Sequence, residues 1–191
     1  VNIYIVGSSS AFATNIANEL QKEHNVYKFG RSNLDYTNYS VMKEEFAKYP
    51  KPDIVLFNQH VSGIGFEDLE VRQSTLDYII GNNFNNLRDT FYGKIFMYDI
   101  LKDANTFVFI TSSITSNTDP QFGLKQIVYR HLRASEQELM KSIYLEGKNS
   151  YALCPGGMDS DPEGFAIKTA KIILKQDKTL NGKVTLVHGY E

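Results

Sequence analysis

The chain has 191 residues, 42% hydrophobic and 22% charged, with a formal net charge of −2. That balance suits one globular domain spanning 1–191, and it excludes a disordered chain or a basic module built for a polyanion. A single cysteine, Cys154, leaves no internal disulfide framework and no cysteine-based zinc site, and no apolar run reaches the ~18 residues of a membrane span. The opening VNIYIV is too short for the apolar region of a signal peptide. The expectation is a soluble cytoplasmic protein with no membrane partner and no nucleic-acid partner.

In chain order, NIYIV (2–6) reads as a buried strand and is followed by an amphipathic stretch to Glu23. NVYKF (25–29) is a second strand, SVMKEEFAKY (40–49) has helical spacing, and PDIVLFN (52–58) returns to an apolar strand. A long helical region runs from about Gln73 to Lys102 and contains GNNFNN; asparagine competes for backbone hydrogen bonds, so a disturbed turn is expected there. TFVFITSS (106–113) is a strand and Gln121 to Glu146 a helix. SYALC (150–154) is a strand, PEGFAIKTAKIILK (162–175) a helix with proline at a favourable first position, and GKVTLVHG (182–189) a closing strand.

Continuous apolar strands alternating with helices indicate a parallel sheet covered on both faces. Right-handed crossovers then make the chain a Rossmann-like doubly wound α/β domain, whose ligand is expected beyond the carboxyl ends of the strands.

The turn after the first strand is GSSSAFA, Gly7 to Ala13. Ser8, Ser9 and Ser10 carry hydroxyls and backbone N–H groups suited to a phosphate, in front of a helix N-terminus with its unpaired donors. A Ser-rich helix cap is the alternative for the same residues. Where a dinucleotide turn carries three glycines, this one has Gly7, Ala11 and Ala13, with Phe12 between the alanines. The second strand ends at FGRSNLD, placing Arg31 and Ser32 where the adenosine ribose of a dinucleotide lies. A guanidinium there favours the 2′-phosphate of NADP(H); Asp35, slightly further on, is the acid that would favour NAD(H). The alternative for Arg31 is a solvated loop residue.

At this point the chain resembles the short-chain dehydrogenases/reductases, in seven ordered blocks from end to end. VGSSSAFA stands at the family's glycine turn, DIVLFNQH at its N-N-A-G strand, and FITSS at the strand bearing its active-site serine. YRHLRASEQELMKSIYLE matches its Y-x-x-x-K helix, ALCPGGMDS its P-G turn, DPEGFA the next helix start, and NGKVTLVHGYE its last strand. The resemblance is to compact members and implies strand order 3-2-1-4-5-6-7 with a very short third strand. Only four residues separate Gly157 from Pro162, so the family's substrate-covering helices have no counterpart.

The resemblance implies a catalytic set of Tyr129 as acid and base, Ser113 positioning the substrate oxygen, Arg133 in the lysine position and Asn83 in the long helix. Ser113 lies sixteen residues before Tyr129, a longer interval than the family's, so Ser116, Ser112, Thr111 and Thr115 compete with it. Asn82 and Asn85 compete with Asn83. A registration placing Phe122 and Gln126 in the Y-x-x-x-K slots is rejected, because RASEQELMKS follows Tyr129 at the family's spacing. A positive charge ~4 Å from a tyrosine is worth ~4 kcal/mol at an effective dielectric near 20. Arginine supplies that term as lysine does, but it cannot release a proton. A simple helix surface pair at i and i+4 is the alternative for Tyr129 and Arg133.

The implied cofactor residues are Gly7, Ser8, Ser9, Ser10, Ala11, Phe12, Ala13, Arg31, Ser32, Asp35, Asn58, Gln59, His60, Pro155 and Gly156, with no metal. Gln59 and His60 stand where the family has Ala and Gly, so they either contact the nucleotide or obstruct it. His24, His131 and His188 are scattered, and Cys154 reads as a small core residue. The function expected is an NADP-dependent oxidoreductase acting on a small carbonyl or alcohol, with NAD(H) as the other cofactor. The alternative is a weak or inactive nucleotide-binding relative, a sensor or assembly module. The family commonly forms homodimers or homotetramers, and the same is expected here.

Overall fold

The computed structural model describes residues 1–59, 91–112, 127–156 and 161–189. Six strands form one parallel sheet: β1 (Asn2–Val6), β2 (Asn25–Phe29), β3 (Ile54–Phe57), β4 (Thr106–Ile110), β5 (Asn149–Cys154) and β6 (Val184–Leu186). Their order across the sheet is β2-β1-β3-β4-β5-β6. The five described helices are α1 (Ala11–Leu20), α2 (Tyr39–Phe46), α3 (Gly93–Leu101), α4 (Ile127–Leu145) and α5 (Pro162–Lys175).

Alternation along each strand divides the core into two layers. Ile3, Ile5, Ile54, Leu56, Val108 and Leu153 face α1 and α5, joining Ile16, Leu20, Ala170 and Ile173. Tyr4, Val6, Val55, Phe57, Phe107 and Phe109 face the other side, against Met42, Phe46, Met97, Met140 and Ile143 of α2, α3 and α4. Every residue of β1 from Ile3 on, and all of β3 and β4, is buried, which is why these strands read as unbroken apolar runs.

Helix starts follow the local chemistry. The Ser10 hydroxyl accepts from Ala13 N–H, Asn38 caps α2 at Val41 N–H, and Asp161 caps α5 at Gly164 N–H just ahead of Pro162. Helix α5 closes on Gln176 in the left-handed region, φ 46°.

Three expectations are corrected. The very short third strand is not formed: residues 30–38, all described, make turns, and the sheet ends at β2. Asn33 occupies that edge with its side-chain amide, accepting from Gly30 N–H at 2.7 Å and donating to the Lys28 carbonyl at 3.0 Å. Those are the two bonds a neighbouring strand's peptide would make. The closing strand is also shorter than expected, since Val187–Gly189 coil into a 3-10 turn. Helix α2 ends at Phe46 rather than Tyr49.

Among the described residues no helix is long and apolar enough to cross a membrane.

Candidate functional site

All six strands are parallel, so the segments after them meet along one edge of the sheet. From β1 the chain runs outward to β2, then crosses back to β3 on the other side of β1, which creates the switch point where such sheets bind ligands.

Gly7, at φ 84°, opens the first turn. A Cβ there would lie 2.5 Å from the Gln59 backbone nitrogen and 2.8 Å from its Cα, so only glycine lets the two segments pack. Gly7 N–H and Ser8 N–H both donate to the Phe29 carbonyl, at 2.8 and 3.2 Å. The Ser8 amide is therefore committed to β2. Ser10 is the helix cap, and its Oγ also accepts from Asn58 Nδ2 at 3.1 Å. Ser9 is exposed.

Neither Ala11 nor Ala13 needs the backbone that only glycine takes freely, because Gln176 is the sole non-glycine residue with positive φ among those described. Ala13 and Phe12 are buried in the α1 core, while Ala11 is exposed.

After β2, Arg31 and Ser32 are exposed, and Arg31 has no ion pair or hydrogen bond among the described residues. Asp35 accepts from the Thr37 N–H and hydroxyl at 2.9 and 2.7 Å, forming a local turn. Beneath this loop lies Tyr36, buried, its hydroxyl donating to the Phe29 carbonyl at 3.4 Å. Burial pushes the Tyr36 phenol up to about 12, against smaller opposing effects from the Gly7 backbone and the Arg31 guanidinium. Sequence reasoning missed Tyr36, whose only signal was an aromatic ring within a turn-rich segment.

Asn58 ties β3 to the first turn through Nδ2 to the Gly7 carbonyl at 2.9 Å, and its own N–H donates to Val6 O at 2.8 Å. Gln59 is 5% exposed, and both polar atoms of its side-chain amide are buried with no hydrogen-bond partner among the described residues. Leaving such a group unpaired costs about 1–3 kcal/mol. An orphaned buried amide beside a backbone cradle that a Cβ would fill is consistent with a site made for a polar ligand, and the residues present fit a dinucleotide.

On the far side of β3 the site changes character. Lys94 of α3 and Arg133 and Glu136 of α4 are all buried. Arg133 Nη1 donates to Glu136 Oε2 at 2.8 Å and to the Ile110 carbonyl at 3.3 Å. Lys94 Nζ donates to the other Glu136 oxygen and, at 3.1 Å, to the Gln59 carbonyl. Burial alone would raise the Glu136 carboxyl, but the Lys94 ammonium and Arg133 guanidinium outweigh it and hold it below the ordinary carboxylate range. Burial lowers the Lys94 ammonium, which Glu136 only partly restores. Arg133 is thus no surface residue, and no spacing in the chain pointed to its partners.

Thr111 is buried at the end of β4, where its hydroxyl accepts from Gln137 Nε2 at 3.2 Å. Beyond β5, Pro155 is buried and Gly156 has φ 55°; a Cβ there would lie 3.7 Å from His188 Nδ1. Cys154 is a buried free thiol, as its apolar strand suggested. Tyr129 lies in the first turn of α4, with its backbone alone described. His60, Asn83 and Ser113, with Thr115 and Ser116, lie outside the described residues. Among the described residues no group of three His, Cys, Asp or Glu side chains could hold a metal ion.

No protein-family model matches the sequence, and no curated protein matches it significantly. Solved structures do match at low identity. A serine dehydrogenase from Escherichia coli is 14% identical, with a TM-score of 0.73 over 97% of this chain and 96% of that one. A short-chain dehydrogenase/reductase from Serratia marcescens is 13% identical, with a TM-score of 0.70 over 97% and 94%. A small-chain dehydrogenase in complex with NADPH is 15% identical, with a TM-score of 0.72 over 97% and 95%. The chain therefore has the fold of the short-chain dehydrogenases/reductases along almost its whole length.

Proposed function

We infer that this chain is an NADP(H)-dependent oxidoreductase acting on a small carbonyl or alcohol substrate. The observation that carries this reading is Arg31, an exposed guanidinium standing just after β2 and one strand away from the Gly7 cradle, with no ion pair among the described residues. Its charge and planar fork suit a 2′-phosphate. Gly7, Ser9, Asn58 and Gln59 then line the path along the strand ends toward Arg133 and the Pro155–Gly156 turn. A distant structural relative bound to NADPH supports the same cofactor.

When bound, the nicotinamide supplies or accepts a hydride. Tyr129 is assigned the proton exchange with the substrate oxygen, Ser113 the orientation of that oxygen, and Asn83 the anchoring of a water that links to the Arg133 position. Arg133 is assigned the positive charge that favours ionisation of Tyr129, reduced by the Glu136 carboxylate it touches. That same contact favours a second reading, in which the chain binds the dinucleotide as a sensor or assembly protein without turnover.

Titration with NADPH and NADH tests the cofactor, with Arg31→Asp expected to move preference toward NADH; no binding of either removes both readings. A carbonyl panel read against Tyr129→Phe then separates them, since turnover above that control is expected only of the enzyme. The remaining attributes belong to the same proposal: a single domain and a cytoplasmic setting. Tyr92 and Phe96, exposed on or beside α3, support a homodimer or homotetramer.

A further inference from the structure

Lys94 and Glu136 are buried charges that neither reading above assigns a task, and Arg133 is bonded into the same cluster. They join four elements: Lys94 comes from α3, Glu136 and Arg133 from α4, and their donors end on carbonyls of Gln59 after β3 and Ile110 of β4. We propose that Glu136 is the positioning residue of the site, a single carboxylate that sets Lys94 and Arg133 and, through them, the two strand ends beneath the half of the dinucleotide farthest from Arg31. The proposal rests on the nucleotide-binding reading.

Stability does not account for the arrangement. Desolvating three charges costs about as much as their attraction returns, and an apolar trio of similar volume holds a core equally well. Charged hydrogen bonds add direction: two carboxylate oxygens and two cations fix the separation of β3 and β4 more narrowly than contact between apolar groups does. The position of Glu136 supports the same conclusion. It lies one helical turn after Arg133, on the buried stripe of α4 with Leu132, Met140 and Ile143, where an apolar side chain would otherwise pack.

The adenosine end of the site is held separately. Asn58 bonds to the Gly7 carbonyl, to Ser10 Oγ and to Val6 O, and the Gly7 and Ser8 amides bond to Phe29 O, none of them through Lys94. Loss of the carboxylate should therefore disturb one half of the ligand and spare the other.

The test compares NADPH with 2′,5′-ADP, which carries only the adenosine half, on the full chain and on Glu136→Gln. Expected is a loss of about tenfold or more in NADPH affinity, the order seen when support behind a binding group is removed, with 2′,5′-ADP changed by less than about twofold. Parallel weakening of both probes would make Glu136 a general prop and overturn the proposal, as would no change in either. If Glu136→Gln fails to fold, the triple replacement Lys94→Met, Arg133→Met, Glu136→Leu refills the same space without charge. It should keep the melting temperature and still lose NADPH selectively, and retained NADPH affinity overturns the proposal. Unmodified protein that binds neither probe removes the nucleotide reading itself, whereas unmodified protein that binds both leaves that reading standing whatever Glu136→Gln does.

Discussion

The backbone of Gln59 passes so close to Gly7 that a methyl group on Gly7 would sit 2.5 Å from the Gln59 nitrogen. Gly7→Ala adds that clash to the strain of an L residue at φ 84°. Together these should cost about 2–5 kcal/mol. Urea denaturation should show the loss, and any folded fraction should bind NADPH weakly. Stability within about 0.5 kcal/mol of the native chain, the range of an ordinary surface substitution, would refute the close approach.

Neighbouring serines should behave differently. Ser10→Ala removes the cap of α1 and the acceptor used by Asn58, and should destabilise by about 1–2 kcal/mol. Ser9 is exposed, so Ser9→Ala should leave the melting temperature unchanged and weaken only nucleotide binding. Equal melting losses in the two variants would contradict this division of roles.

Acid should act through Glu136. Its folded-state carboxyl lies below the ordinary 4.5 of the unfolded chain, so its contribution to stability is complete above that value and is lost as pH falls through the lower, folded one. Stability should therefore drop steeply below about pH 4.5. Glu136→Gln, already less stable at neutral pH, should show a shallower acid drop. Identical slopes in the two proteins would exclude Glu136 as the titrating group.

Alkali should act through Tyr36. Burial raises its phenol from 10.0 to about 12, so the folded state resists losing the proton. The stabilisation is complete below pH ~10 and is lost as pH rises towards ~12, by about 2 kcal/mol. Tyr36→Phe should lose less stability across that interval in parallel urea titrations; equal losses would mean that Tyr36 ionises as easily as an exposed tyrosine.

Lys94→Ala leaves Glu136 with one cation and the Gln59 carbonyl without its donor. Breaking one partner out of a buried ion pair costs about 3–5 kcal/mol, far more than loss of an exposed pair such as Lys51 with Asp103. Thermal melts of Lys94→Ala and Lys51→Ala should therefore differ widely, and similar midpoints would place Lys94 in solvent.

Much of the fold was legible because single residues mark its boundaries. Gly7 stops β1, and Asp161 with Pro162 starts α5; both edges were read to the residue. The last strand was read too long because Val187 is apolar and buried although its backbone has left the sheet. The order of motifs placed Arg31 after β2 and Asn58 after β3, but the bond from Asn58 to the Gly7 carbonyl was not legible. Nor was the charge cluster: on a helix, Arg133 and Glu136 three residues apart look like any solvent-facing pair. Lys94 comes from a different helix, and nothing in sequence spacing says that it meets them. Tyr36 stayed hidden for a related reason, since its burial depends on α3 packing over the loop, where Gly93 leaves room against the Tyr36 backbone.

The side-chain amide of Asn33 takes on added weight once the sheet is seen to end at β2. An open strand edge is a template on which another chain can assemble, and proteins commonly guard such edges. Here one carboxamide satisfies the outward Gly30 N–H and Lys28 carbonyl together, while exposed Lys28 adds charge beside them. Asn33 thus closes the carboxyl-terminal end of this rim to the pairing that a further strand would make there.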